Sequence, residues 1–86
     1  TNTLAVGLNY MADMGSDGED TLNLPASAGL QVGDVVQVKV AALGGNKAII
    51  ARAGSQTIDG VNEVYIQSDF GAVSFKYVAE DLWRIW

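Results

Sequence analysis

Apolar and polar residues alternate with a period of two along most of the chain. The clearest case is the segment 34–42, in which three valines are separated by polar side chains. Such alternation is typical of a β-strand with one buried face, so we predict that Val36, Val38 and Val40 face the core. The same pattern predicts further strands at residues 4–10, 21–24, 47–52, 56–58, 62–67, 73–77 and 82–86.

Short turn motifs separate these strands. Asp59-Gly60 is a strong two-residue turn, and a second turn is predicted at Ser68 to Gly71. Gly44-Gly45-Asn46 predicts a hairpin in which residues 47–52 return beside residues 34–42. A helix from Val78 to Trp86 is disfavoured, because only Ala79 to Leu82 favour one.

This spacing of strands and turns predicts an all-β fold. About seven or eight short strands, with a turn roughly every ten residues, are typical of a small antiparallel β-sandwich or a jelly-roll-like barrel. The chain of 86 residues is long enough for a single domain. Within it we distinguish residues 1–20, an N-terminal strand or arm with an acidic loop, from the β-module of residues 21–86.

Composition limits how such a domain can be stabilised. A chain of this size buries only about 60% of the surface that its unfolded form exposes, so an isolated protomer is marginal. There is no cysteine for disulfides or thiolate zinc sites, and no histidine. Association with copies of itself or with another surface is the remaining way to bury more area. We therefore expect an oligomer, and no cofactor or metal.

Charge narrows the classes of partner. Ten acidic residues against five basic ones give a net charge of −5. Such a chain repels phosphate backbones and anionic membrane surfaces, which argues against nucleic-acid and membrane partners. No apolar run approaches the roughly 20 residues of a membrane span.

Residues 13–20 form a loop rich in glycine and carboxylates, a composition that suits calcium. The EF-hand spacing fails, because Gly15 stands at the third ligand position and Leu24 where a bidentate Glu belongs. A solvated acidic loop is the favoured interpretation, and a cation site stays the alternative. A glycosidase carboxylate pair is disfavoured, since so small a domain has little room for a substrate cleft.

No catalytic constellation is evident. Ser55, Thr57 and Ser74 are possible nucleophiles, but without histidine a Ser-His-Asp arrangement cannot form. Gly44 to Lys47 lacks the spacing of a phosphate-binding loop. We expect a protein that is not an enzyme, with no catalytic residues.

The exposed apolar residues are the better candidates for function. Trp83 and Trp86 lie three residues apart, so on a strand they face opposite sides. Only one of them can enter the core, and the other is expected at an interface. The alternating N-terminal segment supplies the other interface candidates, so that the set is Leu4, Val6, Leu8, Tyr10, Trp83 and Trp86.

Four short segments carry a resemblance to a known group of proteins. They are LPASAGL at 24–30, GSQTIDG at 54–60, FGAVSF at 70–75 and WRI at 83–85, with Gly33 and the valine-rich strand between the first two. Together they resemble the small β-rich modules of tailed-bacteriophage virion proteins, which occur in head decorations and in fibres and their tips. The likeness covers Leu22 to Trp86.

The resemblance implies a non-enzymatic structural protein at the surface of a phage particle. The first expectation is a capsid decoration (cement) protein that assembles as a homotrimer on the major capsid protein or another virion protein. One alternative is the receptor-binding tip of a tail fibre or spike. Another is a small carbohydrate-binding module that stacks a glycan on Trp83, Trp86 or Tyr65.

Overall fold

The computed structural model describes residues 2–11, 20–43 and 47–86. This part of the chain is all-β, as predicted, and holds nine strands, one 3-10 turn at Ser27–Gly29 and no α-helix. The strands are β1 (Asn2–Thr3), β2 (Gly7–Met11), β3 (Asp20–Asn23), β4 (Val35–Val40), β5 (Ala48–Ala51), β6 (Thr57–Ile58), β7 (Glu63–Ile66), β8 (Ala72–Ala79) and β9 (Leu82–Ile85).

The strands form two sheets. One has four strands in the order β1-β3-β5-β7, and the other has five in the order β2-β4-β8-β9-β6. Both are mixed, because β1–β3, β3–β5, β2–β4 and β6–β9 pair in parallel while β4–β8, β5–β7 and β8–β9 pair antiparallel. The expectation of purely antiparallel sheets was therefore wrong.

The predicted hairpin between β4 and β5 does not form. β4 lies in the five-stranded sheet between β2 and β8, and β5 lies in the four-stranded sheet between β3 and β7. Both edges of β4 are filled by other strands, so no edge is left for β5. The connection therefore crosses between sheets, and its residues 44–46 lie outside the described part of the chain.

The inner faces of the two sheets supply one hydrophobic core. The predicted inward face of β4 is confirmed, since Val36, Val38 and Val40 are all buried. β8 adds Phe75 and Tyr77 to the same core. The remaining members are Leu4, Leu22, Leu24, Leu43, Ala48, Ile50, Ile58, Ile66 and Trp83. Burial of these side chains is the main source of the fold's stability.

The two strongest predicted turns are present. At Asp59-Gly60 both residues have positive φ (49° and 85°), the conformation of a type I′ hairpin turn. Ile58 and Val61 close this turn by exchanging two backbone hydrogen bonds of 2.8 and 2.9 Å. In the turn ending at Gly71, a Cβ on that residue would lie 2.6 Å from the side chain of Ile66, so the position needs glycine.

The chain enters both sheets near its N-terminus. The alternation from Leu4 to Tyr10 predicted one strand, but the structure divides this segment between the two sheets. Only its second part, which lies in β2, reaches Tyr10. Leu4 instead extends the β1 side, where its amide donates to the carbonyl of Asn23 at 2.7 Å. The chain then crosses to the other sheet and enters β2 at Gly7, whose φ is +103°. β1 and β2 are thus the first strands in the two sheet orders.

The C-terminus is a strand, so the helical alternative for Val78 to Trp86 was wrong. β9 pairs with β8 on one side and with β6 on the other. The expectation that one of the two tryptophans enters the core is confirmed, because Trp83 is 0% exposed and Trp86 is 73% exposed.

Candidate functional site

The side of the five-stranded sheet that faces away from the core is a candidate interaction surface. β4 turns Gln37 and Lys39 to this side, because the intervening valines are buried. The register places Leu8 beside Gln37 and Tyr10 beside Lys39. On the other side of β4, antiparallel pairing places outward residues of β8 beside those of β4. β9 in turn pairs with β8 and continues the same face. We define the outer face as Leu8, Tyr10, Gln37, Lys39, Ala72, Ser74, Lys76, Arg84 and Trp86.

Three large apolar side chains on the outer face are open to water. Leu8 is 84% exposed, Tyr10 is 64% exposed and Trp86 is 73% exposed. A shallow groove of about 420 Å³ lies over β2, β4 and β8 and includes Leu8 and Tyr10 but not Trp86. Its lining includes Leu8, Tyr10, Gln37, Lys39, Ala72 and Ser74. Exposed apolar residues that share one surface are typical of interaction sites, whereas isolated ones need no explanation.

Trp86 is held in place although it follows the last strand. Its amide donates to the carbonyl of Ser74 at 2.9 Å, which ties the terminus to β8. The Nζ atom of Lys76 lies 4.3 Å from the centroid of the Trp86 ring. An exposed cation–π contact of this kind contributes about 0.5–1 kcal/mol. The indole is therefore oriented on the outer face before any partner binds.

The outer face is basic on a chain that is acidic as a whole. It carries Lys39, Lys76 and Arg84, three of the five basic residues, and none of its members is acidic. Arg84 pairs with Asp59 beside the face at 3.4 Å, and the two side chains are 49% and 40% exposed, so the pair contributes little free energy. With the Asp59 carboxylate counted against the three cations, the face keeps an excess of two positive charges. This excess favours a partner with acidic groups.

The interface candidates divide into two groups. Val6, Leu8, Tyr10 and Trp86 are exposed, and the last three lie on the outer face. Leu4 and Trp83 are buried in the core, at 2% and 0% exposure. These two side chains cannot contact a partner while the protomer keeps this fold, so their selection as interface residues was wrong. Leu4 is drawn inward by the pairing of β1 with β3, and Trp83 by its position opposite Tyr77.

A buried polar network lies on the core side of the five-stranded sheet, opposite the outer face. The sequence did not predict it. Its centre is Gln56, which is 0% exposed. The Oε1 atom of Gln56 accepts hydrogen bonds from Trp83 Nε1 at 2.9 Å and from the Ala53 amide at 3.0 Å. Its Nε2 atom donates to the Pro25 carbonyl and to Ser27 Oγ, both at 2.9 Å. One side chain thus joins two separate segments, residues 25–27 and 53–56, to β9.

The network continues to the turn between β8 and β9. Ser27 Oγ donates to Asp81 Oδ1 at 2.5 Å, and the Asp81 amide donates to the Tyr77 hydroxyl at 2.8 Å. The Tyr77 ring meets Trp83 edge to face, with centroids 5.0 Å apart. In the described part of the chain every buried side-chain nitrogen or oxygen has a hydrogen-bond partner. Full pairing is what a structural network requires.

The aromatic residues considered for glycan stacking do not form one platform. Trp83 is buried, so it is unavailable to a sugar. Tyr65 belongs to β7 of the four-stranded sheet, where Lys47 Nζ lies 4.1 Å from its ring centroid and its hydroxyl donates to Glu63. Trp86 lies on the other sheet. A sugar could therefore stack on either exposed ring but not on both together.

The acidic loop of residues 13–20 lies almost wholly outside the described part of the chain, so its cation hypothesis stays a prediction. Among residues 2–11, 20–43 and 47–86, no three metal-ligating side chains come together. In the same ranges, no helix has both the length and the apolar character needed to cross a bilayer.

No protein-family model matches the chain, and no curated protein matches it significantly. The likeness to phage virion modules therefore depends on its quoted segments alone, and it enters below as a proposal.

Proposed function

We propose that this chain is a non-enzymatic structural protein of a tailed-phage virion, a decoration protein that assembles as a homotrimer on the capsid surface. In this proposal the two sheets pack as a sandwich, and the outer face of the five-stranded sheet is the assembly surface. The major capsid protein, or another virion protein, is the surface to which the assembly attaches.

The observation that carries the proposal is the grouping of Leu8, Tyr10 and Trp86 on the outer face. Each is large, apolar and mostly exposed, while Val38, Phe75 and Trp83 on the inner face of the same sheet are buried. Covering apolar area stabilises an assembly by about 25 cal/mol per Å². A small domain with a marginal core gains the most from such covering.

The proposed absence of catalysis follows from the composition. The chain has neither histidine nor cysteine, the side chains that most often serve as base and nucleophile near neutral pH. The Ser27 hydroxyl, which donates to a carboxylate, is already engaged by Gln56 within the structural network. Its bonds support a role in folding.

Sedimentation velocity of the purified chain tests self-assembly. We expect a trimer at micromolar concentration for the natural sequence, and a folded monomer for the Leu8→Ser/Tyr10→Ser/Trp86→Ser variant. Val61→Ser is the matched control, because Val61 is also half exposed but lies in the Asp59-Gly60 turn. A natural chain that stays monomeric, or a triple variant that assembles as well as the control, would contradict the proposal.

Location in the particle tests the virion role. We expect mass spectrometry of purified virions to detect the chain, and labelling with an antibody to place it on the shell. Labelling at the fibre ends would instead support the alternative of a receptor-binding tip. Absence from the particle would contradict both.

A carbohydrate-binding role is the second candidate, and one observation favours it. Trp86 presents an oriented, exposed ring with a cation on one side, an arrangement on which a sugar could stack. Titration of tryptophan fluorescence with a panel of saccharides tests this role. A saturable change that Trp86→Ala abolishes would support it, and unchanged fluorescence across the panel would reject it.

A further inference from the structure

A second groove lies at the end of the molecule where β8 turns into β9. It has a volume of about 360 Å³ and is lined by Ser27, Ala28, Leu30, Val32, Tyr77 and Glu80. Val32 is 70% exposed at its mouth, and Leu30 packs against the core beneath it. The groove therefore combines apolar side chains with the polar groups of Ser27 and Glu80, and we call it the end groove.

The end groove has an acidic rim. Glu80 lines it, and Asp81 follows in the same turn. Asp34 is held nearby, because its carbonyl accepts from the Tyr77 amide at 2.8 Å and its side chain accepts from the Gln31 amide at 2.9 Å. No lysine or arginine lines the groove. The charge of the end groove is thus opposite in sign to the charge of the outer face.

One copy of the chain cannot join these two surfaces to each other. β8 contributes to both surfaces, with Ser74 on the outer face and Tyr77 lining the end groove. The two residues lie three positions apart, about 10 Å at about 3.3 Å per residue, and their side chains are on opposite faces of the strand. The two surfaces therefore face different directions on one protomer, and only a second copy can bring them together.

The charges also determine which kind of self-contact is favoured. A two-fold contact between outer faces would bring Lys39, Lys76 and Arg84 of one copy against the same cations of the other. Like charges brought together at an interface are strongly unfavourable. A contact between the outer face and the end groove joins opposite charges and places apolar side chains over Leu30 and Val32 of the groove.

From this complementarity we infer that copies of the chain associate head to tail, with the outer face of one copy seated on the end groove of the next. The inference deepens the proposed function, because it requires the self-association proposed there and specifies the partner surface. A head-to-tail contact closes into a ring, such as a trimer, when its rotation permits.

Charge reversal on each surface tests the inference. Lys39→Glu/Lys76→Glu reverses the outer face, and Glu80→Lys reverses the rim without touching the Gln56 network. We expect each variant alone to lose at least about tenfold in association constant, since opposite charges become like charges. An equimolar mixture of the two should associate again, because each variant then offers the surface that the other needs.

Glu63→Lys is the matched control. It makes the same change in net charge as Glu80→Lys but lies on β7 of the other sheet, so its association should equal that of the natural chain. Circular dichroism melts confirm that all variants are folded. Two further results would support the inference. Rising salt should weaken association of the natural chain. The mixture of the two variants should form assemblies with an even number of copies.

The contrary outcomes separate the two proposals. If the natural chain assembles but Glu80→Lys assembles equally well, the head-to-tail inference is overturned while self-association stands. Strengthening of association by salt, or preferential pairing of the reversed outer face with the natural one, would indicate a two-fold contact between outer faces and also overturn it. A natural chain that is monomeric at every salt concentration overturns both.

Discussion

Trp83 and Trp86 lie three residues apart, yet their surroundings differ completely. Trp83 is buried, donates its indole N–H to Gln56 and packs edge to face on Tyr77. Trp86 is mostly exposed, its amide donates to the carbonyl of Ser74, and its ring meets the Lys76 ammonium group. The same residue type thus serves folding on one side of the five-stranded sheet and is left for a partner on the other.

The difference extends to the regions around the two rings. Around Trp83 all buried polar groups of the network are paired, and nothing is left for a ligand to satisfy. Around Trp86, apolar side chains and cations face water together. The comparison indicates that function in this molecule should be sought on the outer face, and four predictions can break or sharpen it.

The largest expected effect is that of a charge placed on the inner face. Val38→Asp puts a carboxylate at a position that is 1% exposed, at a cost of several kcal/mol, so we expect the protomer to unfold. Gln37→Asp, one residue away on the outer face, should stay folded. A cooperative thermal transition in circular dichroism for Val38→Asp would contradict the assignment of the faces.

The two tryptophans should respond oppositely to truncation. Trp83→Ala removes a buried ring, and we expect it to lower the free energy of unfolding by about 3–5 kcal/mol. Trp86→Ala removes one exposed cation–π contact and should cost less than about 1 kcal/mol in the monomer. Urea denaturation at a concentration where the natural chain is monomeric measures both. Equal losses would show that the two regions do not differ in role.

Removal of the network's central side chain should have an intermediate effect. Gln56→Leu leaves the buried Trp83 indole N–H without its acceptor, at about 1–3 kcal/mol, and also removes the acceptor of the half-buried Ala53 amide. The exposed Gln67→Leu is the control and should change stability by less than about 0.5 kcal/mol. A double-mutant cycle with Trp83→Phe should show coupling, and strictly additive losses would argue against the bond.

Much of the fold is encoded locally and could be predicted. The β4 valines reveal their face because side chains alternate across a strand, and Asp59-Gly60 reveals its turn because few residue pairs accept two positive φ angles. Strand partners depend instead on which edges remain open in the assembled sheet. The glycine-rich connection after β4 therefore indicated where this strand ends, but not that the next strand lies in the other sheet.

The candidate site was predicted in part for the same reason. Alternation selected Leu8, Tyr10 and Trp86 as apolar positions, but their position on one face depends on the parallel pairing of β2 with β4, which no local pattern reveals. Gln56 could have been placed inward, because it lies two residues before the buried Ile58 on the same strand side. Its polar character concealed this, since a buried amide is stable only when distant segments supply its partners.

Acrylamide quenching of tryptophan fluorescence across a range of chain concentrations tests the central claim most directly. At low concentration we expect one quenchable population, Trp86, and one protected population, Trp83. At concentrations where sedimentation shows that the chain assembles, the quenchable population should become protected, because a neighbouring copy covers the outer face. An accessible Trp86 in the fully assembled protein would contradict the account.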